Sequence, residues 1–266
     1  MAQPVDVTVI TPTYNRAHLL PRLYESLRAQ TFTGFEWLVV DDGSTDETRE
    51  LVRGWDAPFP ITYVHQANAG MKVAWNRGVE LARGNYVAVI GSDDRYLPHG
   101  LERLTEEWRD LDDSFASVNG RTIDPAGGLV GPPFEGTLDV DSFTLLYRYR
   151  IAGDTAGLAR TEIVRRFPFP YAESRAAPEA TAFNRIARHY KTRFLSEPVV
   201  IVDYQPGGLS GRDRSERLAD PRPWLLYYWE AFTFPRWVPL HTRAKFALNC
   251  IRFGTRRLLT SPHRFG

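Results

Sequence analysis

A chain of 266 residues, 43% hydrophobic and 24% charged, has the make-up of an ordinary globular protein with enough apolar side chains for a real core in one or two domains. Its net charge of +1 predicts no polyanionic partner, and so no nucleic acid. One cysteine, Cys250, excludes an intramolecular disulfide and a cysteine-based zinc site, and fits a reducing, cytoplasmic compartment. Neither a signal peptide nor a membrane-spanning helix is expected: no long apolar run follows a basic start, and no stretch approaches ~20 uninterrupted apolar residues.

Val5 to Ile10 reads as a strand that stops at Thr11-Pro-Thr-Tyr-Asn-Arg16. Leu19, Leu20, Leu23 and Leu27 follow at helical spacing. A second strand, Phe35 to Val40, runs into Asp41-Asp-Gly-Ser-Thr-Asp46, where Ser44 and Glu47 form a capping-box signature for a helix to about Arg53. Ile61 to His65 is a third strand, ending at Gln66-Ala-Asn-Ala-Gly70, and a helix from about Met71 to Ala82 leads into the apolar run Tyr86 to Ile90. That run ends in Gly91, Ser92, Asp93 and Asp94. Strand–helix alternation of this kind predicts an α/β fold with a mostly parallel sheet covered by helices on both faces. It also sets the polar clusters on the carboxyl edge of the sheet, where ligands bind. Adjacent carboxylates there suit a hard divalent cation that also binds phosphate oxygens; the same residues also suit a cap on a helix starting near Pro98.

In the second half, a helix is expected over Pro98 to Arg109, a strand over Phe115 to Val118, and a loop or short hairpin over 124–136. Phe143 to Tyr149 reads as helical, and Thr161 to Phe167 as a short helix ended by Pro168. Pro178-Glu179 opens another helix, Phe194 to Tyr204 is strand-like, and Gly207-Gly208-Leu209-Ser210 is a loop. Trp224, Tyr227, Tyr228 and Trp229 read as core, and His18, His65, His99 and His189 have no metal-ligand spacing. From Ala231 to Gly266 there is no acidic residue, while Arg236, Arg243, Lys245, Arg252, Arg256, Arg257 and Arg264 interleave with Phe246, Leu248, Ile251, Phe253, Leu258 and Leu259. This tail admits two readings: a basic amphipathic helix in a membrane interface, contacting it through 236–260, or a helix packed on the domain.

Four features in order at strand ends, Thr11-Pro-Thr-Tyr-Asn-Arg16, Asp41-Asp-Gly-Ser-Thr-Asp46, Asn68-x-Gly70 with Asn76-Arg-Gly78, and Ser92-Asp-Asp94, resemble the family-two inverting glycosyltransferases of GT-A fold. The resemblance is strong over about residues 5–100 and returns over 153–211, where Gly153-Asp154, Pro178-Glu179 and Gly208-Leu209-Ser210 are similar to that family's acceptor half. It implies a GT-A domain over 1–220, with a nucleotide-sugar half to about 120 and an acceptor half over about 121–220, followed by a basic amphipathic helical extension over 221–266. It implies further that Thr11 and the Tyr14–Arg16 turn contact the nucleotide and that Asp42 accepts hydrogen bonds from uracil. Lys72 would lie by the base or phosphates, Asp93 would hold the ribose, and Asp94 would bind Mg²⁺ or Mn²⁺. Glu179 would be the base in a single displacement from a UDP-sugar donor to a saccharide or lipid-linked acceptor. The expected location is cytoplasmic, at the inner face of the membrane if the tail binds lipid.

The sequence departs from the pattern in three places. Gly91 stands where the family often has Asp, Ala180 follows Glu179 where it has a second carboxylate, and no His lies near 208–210, although Arg212 and Arg214 do. The first two departures leave a non-catalytic nucleotide-sugar-binding module as an alternative. A sugar nucleotidyltransferase would need a Gly-rich, basic loop after the first strand, which Thr11 to Arg16 is not. Simpler roles are a helix cap for Asp42, a helix-dipole partner for Glu179, and a turn residue or acceptor contact for Asp154.

Overall fold

The computed structural model describes residues 6–205, 220–235 and 238–260, the side chains of 256–260 excepted. Gly207–Ser210, Arg212, Arg214, Arg236 and Arg264 lie outside these residues, as do the side chains of Arg256, Arg257, Leu258 and Leu259. The elements run β1 (Val7–Thr13), α1 (Leu20–Arg28), β2 (Phe35–Asp41), α2 (Thr48–Arg53), β3 (Ile61–His65), α3 (Met71–Leu81), β4 (Tyr86–Val89), β5 (Arg95–Tyr96) and α4 (Gly100–Glu106). After a 3₁₀ turn at Glu107–Asp110 come β6 (Phe115–Ile123), β7 (Thr137–Val140), α5 (Ser142–Tyr147), β8 (Thr155–Arg160), α6 (Thr161–Arg166), α7 (Ala180–Ala187), β9 (Lys191–Ile201), α8 (Arg222–Phe232) and α9 (Leu240–Thr260).

One sheet holds all nine strands in the order β3-β2-β1-β4-β8-β6-β9-β5, with β7 on β9. The first four strands are parallel, each joined to the next by a helix, as the alternation predicts. Beyond β4 the sheet is mixed: β8 runs antiparallel to β4 and β6, β5 and β7 run antiparallel to β9, and only β6–β9 is parallel. These strands pair with distant segments and need no crossover helix, so they left no strand–helix rhythm to read.

Both faces of the parallel half are covered. Val7, Val9, Trp37 and Val39 face α1, whose Leu20, Leu23, Tyr24 and Leu27 are buried, and Tyr24 stacks on Trp55 with Trp37 beside both. Ile10, Leu38 and Val40 face α3. Gly78 sets that approach, because a Cβ there would lie 2.4 Å from Ile10 Cγ2.

Two local expectations change, and the loop reading of 124–136 holds. β1 does not stop at Ile10 but pairs with β2 through Thr13↔Asp41, since β2 continues beside it. The capping box does not form: the Ser44 hydroxyl accepts the Asn15 N–H, and Asp46 accepts the N–H and hydroxyl of Thr48 at the start of α2. Residues 124–136 are a loop with a single bridge, Ile123↔Leu129.

The C-terminal helices pack on the domain, as one of the two readings of the tail has it. α8 and α9 pack on α5 and α7 through Phe143, Ala187, Ala231, Phe234 and Phe246, and Arg185 pairs with Glu230 at 2.7 Å. The other face of α9 leaves Leu248 and Ile251 about two-thirds exposed. Among the described residues no helix is long and apolar enough to cross a membrane.

Candidate functional site

Pairing of Thr13 with Asp41, Asp41 with His65, and Val89 with Ile10 brings the carboxyl ends of β1 to β4 to one edge. A cleft of about 820 Å³ opens there, within the range of small-molecule sites. Tyr14, Arg16, Asp42, Lys72, Asp93, Asp94 and Glu179 all line it. Thr11 does not: it is fully buried in β1, and its hydroxyl accepts the Trp37 indole N–H at 3.0 Å. That burial takes Thr11 out of the cleft, and its neighbours Pro12 and Thr13 reach it instead because β1 runs on. Among the described residues the buried Thr13 hydroxyl has no hydrogen-bond partner.

The first two loops are tied together. Asn15, at φ 52°, accepts the Thr45 N–H at 2.8 Å and donates its own N–H to Ser44 Oγ at 2.8 Å. Ala17 N–H donates to Asp46 at 3.0 Å. Asp42 is buried and caps no helix; its carboxylate accepts Gln66 Nε2 at 2.8 Å, Ala69 N–H at 2.9 Å and Gly70 N–H at 2.7 Å. A carboxylate offers about four acceptor sites, so one remains for a ligand donor. Lys72 is buried in the first turn of α3 and also faces the cleft. Asn76, by contrast, is internal glue: its amide bonds both the C=O and the N–H of Phe169, at 3.2 and 3.0 Å.

The acidic pair sits beyond β4 and does not cap α4, whose N-cap residue is His99. Asp93 accepts Arg16 Nη1 at 3.2 Å. Asp94 accepts the Asp203 N–H at 3.2 Å, and burial, followed by repulsion from Asp93 and Asp154, pushes its carboxyl up to about 7. A Cβ on residue 91 would lie 2.7 Å from Asp93 Oδ1 and 2.8 Å from Asp94 Oδ2. Both carboxylates therefore fold over the bare Cα of Gly91, and an Asp at 91 would displace them. Asp154 accepts the Tyr204 hydroxyl, and burial and this bond raise the tyrosine above its ordinary value.

Among the described residues, six carboxylates line the cleft (Asp42, Asp93, Asp94, Asp154, Glu179, Asp203) against three cations (Arg16, Lys72, Arg175). A dianionic diphosphate would add to that excess. The donor set thus fits a divalent ion held by Asp94, with Asp93 beside it. Among the described residues no three acidic, His or Cys side chains form a complete metal site, so the remaining ligands would be water or substrate oxygens.

Glu179 immediately precedes α7, is exposed, and lines the wall with Ala172 and Arg175; its side chain does not cap the helix. Asp154 lines the cleft, in keeping with the acceptor contact that is one of its two readings, while Arg175, Asp203 and Tyr204 have no signal in the sequence, since only the mixed half of the sheet brings their segments to this edge.

The model of glycosyl transferase family 2 matches residues 8–164. An uncharacterized glycosyltransferase of Escherichia coli K12, YibD, is 41% identical over 99 residues, which are 37% of this chain and 29% of that protein. The chain spans about a third or less of the length of the curated relatives it matches. In fold it is similar to residues 1–349 of Staphylococcus aureus TarS, solved with UDP-GlcNAc: TM-score 0.71, 21% identity, 96% of this chain and 73% of that one. It is also similar to the mannosyltransferase PcManGT of Pyrobaculum calidifontis, solved with GDP-Man and Mn²⁺: TM-score 0.59, 19% identity, 98% of this chain and 76% of that one.

Proposed function

The chain belongs to glycosyl transferase family 2, and from that premise we propose that it moves a sugar from a UDP-linked donor to a saccharide or lipid-linked acceptor by inverting single displacement. The observation that carries this reading is one cleft with Asp42, Asp93 and Asp94 at the strand ends and Glu179 on the wall beside α7. The UDP-GlcNAc of the TarS complex is what favours UDP over GDP as the nucleotide, and Asp42 offers an acceptor for the uracil N–H.

Asp93, steadied by Arg16, holds a ribose hydroxyl, and Lys72 stands on the phosphate side. Mg²⁺ or Mn²⁺, held by Asp94, would neutralise the diphosphate and the charge on departing UDP. Glu179 takes the proton of the acceptor hydroxyl as that oxygen attacks the anomeric carbon from the face opposite the nucleotide. The bond from the anomeric carbon to the phosphate oxygen breaks, and its electron pair leaves with UDP. General-base help of this kind contributes roughly 10²–10⁴-fold.

Residues 1–220 form the catalytic domain in this reading and 221–266 the extension. The outward face of α9, with Leu248 and Ile251 beside Lys245 and Arg252, rests on an anionic membrane at its cytoplasmic side. A thermal-shift panel of UDP-, GDP- and dTDP-sugars with and without Mn²⁺ tests the donor. A bound sugar nucleotide at 100 times its Kd adds about 2.7 kcal/mol. Stabilisation by UDP-sugars that needs Mn²⁺, with release of UDP, supports the reading; no Mn²⁺-dependent stabilisation by any of them refutes it.

A further inference from the structure

A second cavity of about 480 Å³ lies between α3, α6 and α7, and Trp75 belongs to its wall and to the wall of the catalytic cleft. Val79, Val164, Phe169, Ala182, Phe183 and Ile186 are among its other apolar wall residues. Trp75, Phe169 and Phe183 meet edge to face, with ring centroids 5.1 to 5.9 Å apart. Phe183 is nonetheless 43% exposed, which leaves an aromatic surface uncovered at the mouth.

The polar residues on this wall have little to offer a ligand. The Asn76 amide is used on both sides by the Phe169 backbone. The Arg165 guanidinium is spent on the carbonyls of Val79, Glu80 and Ala82 at the end of α3. Of the polar groups that line the cavity among the described residues, only Glu80 and the Trp75 indole N–H remain, too few partners for the hydroxyls of a saccharide, whereas a hydrocarbon needs none.

The cavity is also in line with the chemistry. Glu179, Ala182, Phe183 and Ile186 follow the spacing i, i+3, i+4, i+7, so they share one face of the α7 segment. A hydroxyl at Glu179 is about one turn, roughly 5 Å, from the first wall residue, and about 10 Å from Ile186.

We infer that the acceptor is amphipathic: its reacting hydroxyl meets Glu179 and its hydrocarbon part lies in this aromatic cavity. The inference rests on the transferase reading above and adds the class of acceptor to it. The cavity selects acceptors that carry an alkyl or aryl group within about 10 Å of the hydroxyl, and it leaves the donor untouched.

The test compares n-octyl β-D-glucoside, kept below its micellar concentration, with glucose as probes on the full chain by saturation-transfer NMR and calorimetry. Phe183→Ser removes the exposed ring, and Ala182→Trp fills the cavity; UDP with Mn²⁺ is titrated into each as a control. Saturable binding of the octyl glucoside but not of glucose is expected, weakened about tenfold by Phe183→Ser. UDP binding should be equal in both proteins, which also verifies that the variants fold. Because Phe183 is half exposed, that variant keeps the test valid should Ala182→Trp misfold. Octyl glucoside binding that is absent, or that survives both folded substitutions, overturns the inference while UDP binding persists. Loss of UDP binding in the unaltered protein overturns the transferase reading instead.

Discussion

Asp94→Asn separates the metal-site reading from a merely structural acid without any need for substrate. Burial and the neighbouring carboxylates raise the Asp94 carboxyl to about 7, so the metal-free fold prefers it neutral. Because the folded value lies above the unfolded one, the stability linked to this group is complete at pH 4 and below. It is lost as pH rises through about 7. A shift from the ordinary carboxyl range to about 7 corresponds to at most roughly 4 kcal/mol. Urea unfolding in chelator between pH 4 and 8.5 should therefore show the native protein losing stability that Asp94→Asn retains, by a few kcal/mol at pH 8. Millimolar Mn²⁺ at pH 8 should restore the native protein and leave the Asn variant unchanged, because binding needs the ionised carboxylate. Parallel pH profiles for the two proteins, or equal Mn²⁺ effects on both, would refute the reasoning.

Glu179→Gln keeps the shape of the side chain but cannot take a proton; transfer should fall by roughly 10²-fold or more while UDP affinity stays constant. Wild-type transfer rates in that variant would move the search for the base to Asp154, which shares the cleft. Asp42→Asn removes the charge from the acceptor proposed for the uracil N–H, so uridine nucleotides should bind more weakly by roughly 1.5–3 kcal/mol in calorimetry, the worth of one charge-assisted hydrogen bond. Equal losses for every base would mark Asp42 as purely structural. Gly91→Ala puts a methyl group 2.7 to 2.8 Å from the Asp93 and Asp94 oxygens, and Mn²⁺-dependent UDP binding should drop about tenfold with little change in Tm. Unchanged binding would mean that the two carboxylates need not converge. Leu248→Glu with Ile251→Glu, both on exposed positions, should abolish sedimentation with anionic vesicles and spare Tm. Retained vesicle binding would remove the membrane contact from α9.

Much of this protein follows from local sequence alone. The parallel strands β1 to β4 were legible because each is a short apolar run, cut off by Gly, Asn or Asp and followed by a helical repeat, and such βαβ units depend on neighbours in the chain. Asp42, Asp93 and Asp94 were legible for the same reason: a carboxylate just past a parallel strand must stand at the ligand edge. Residue spacing could not say that pairing with β2 carries β1 three residues past Ile10, which buries Thr11 and hands the cleft to Pro12 and Thr13. Nor could it bring in Arg175, Asp203 and Tyr204, or show that Gly91 is bare because two carboxylates fold over it. Those facts depend on β8, β6 and β9, which join across tens of residues in mixed directions, and on side chains meeting through space. The two faces of α9 are the same lesson. Alternating basic and apolar residues predict an amphipathic helix, but only its packing on α8 decides that Phe246 and Phe253 are buried while Leu248 and Ile251 remain outside.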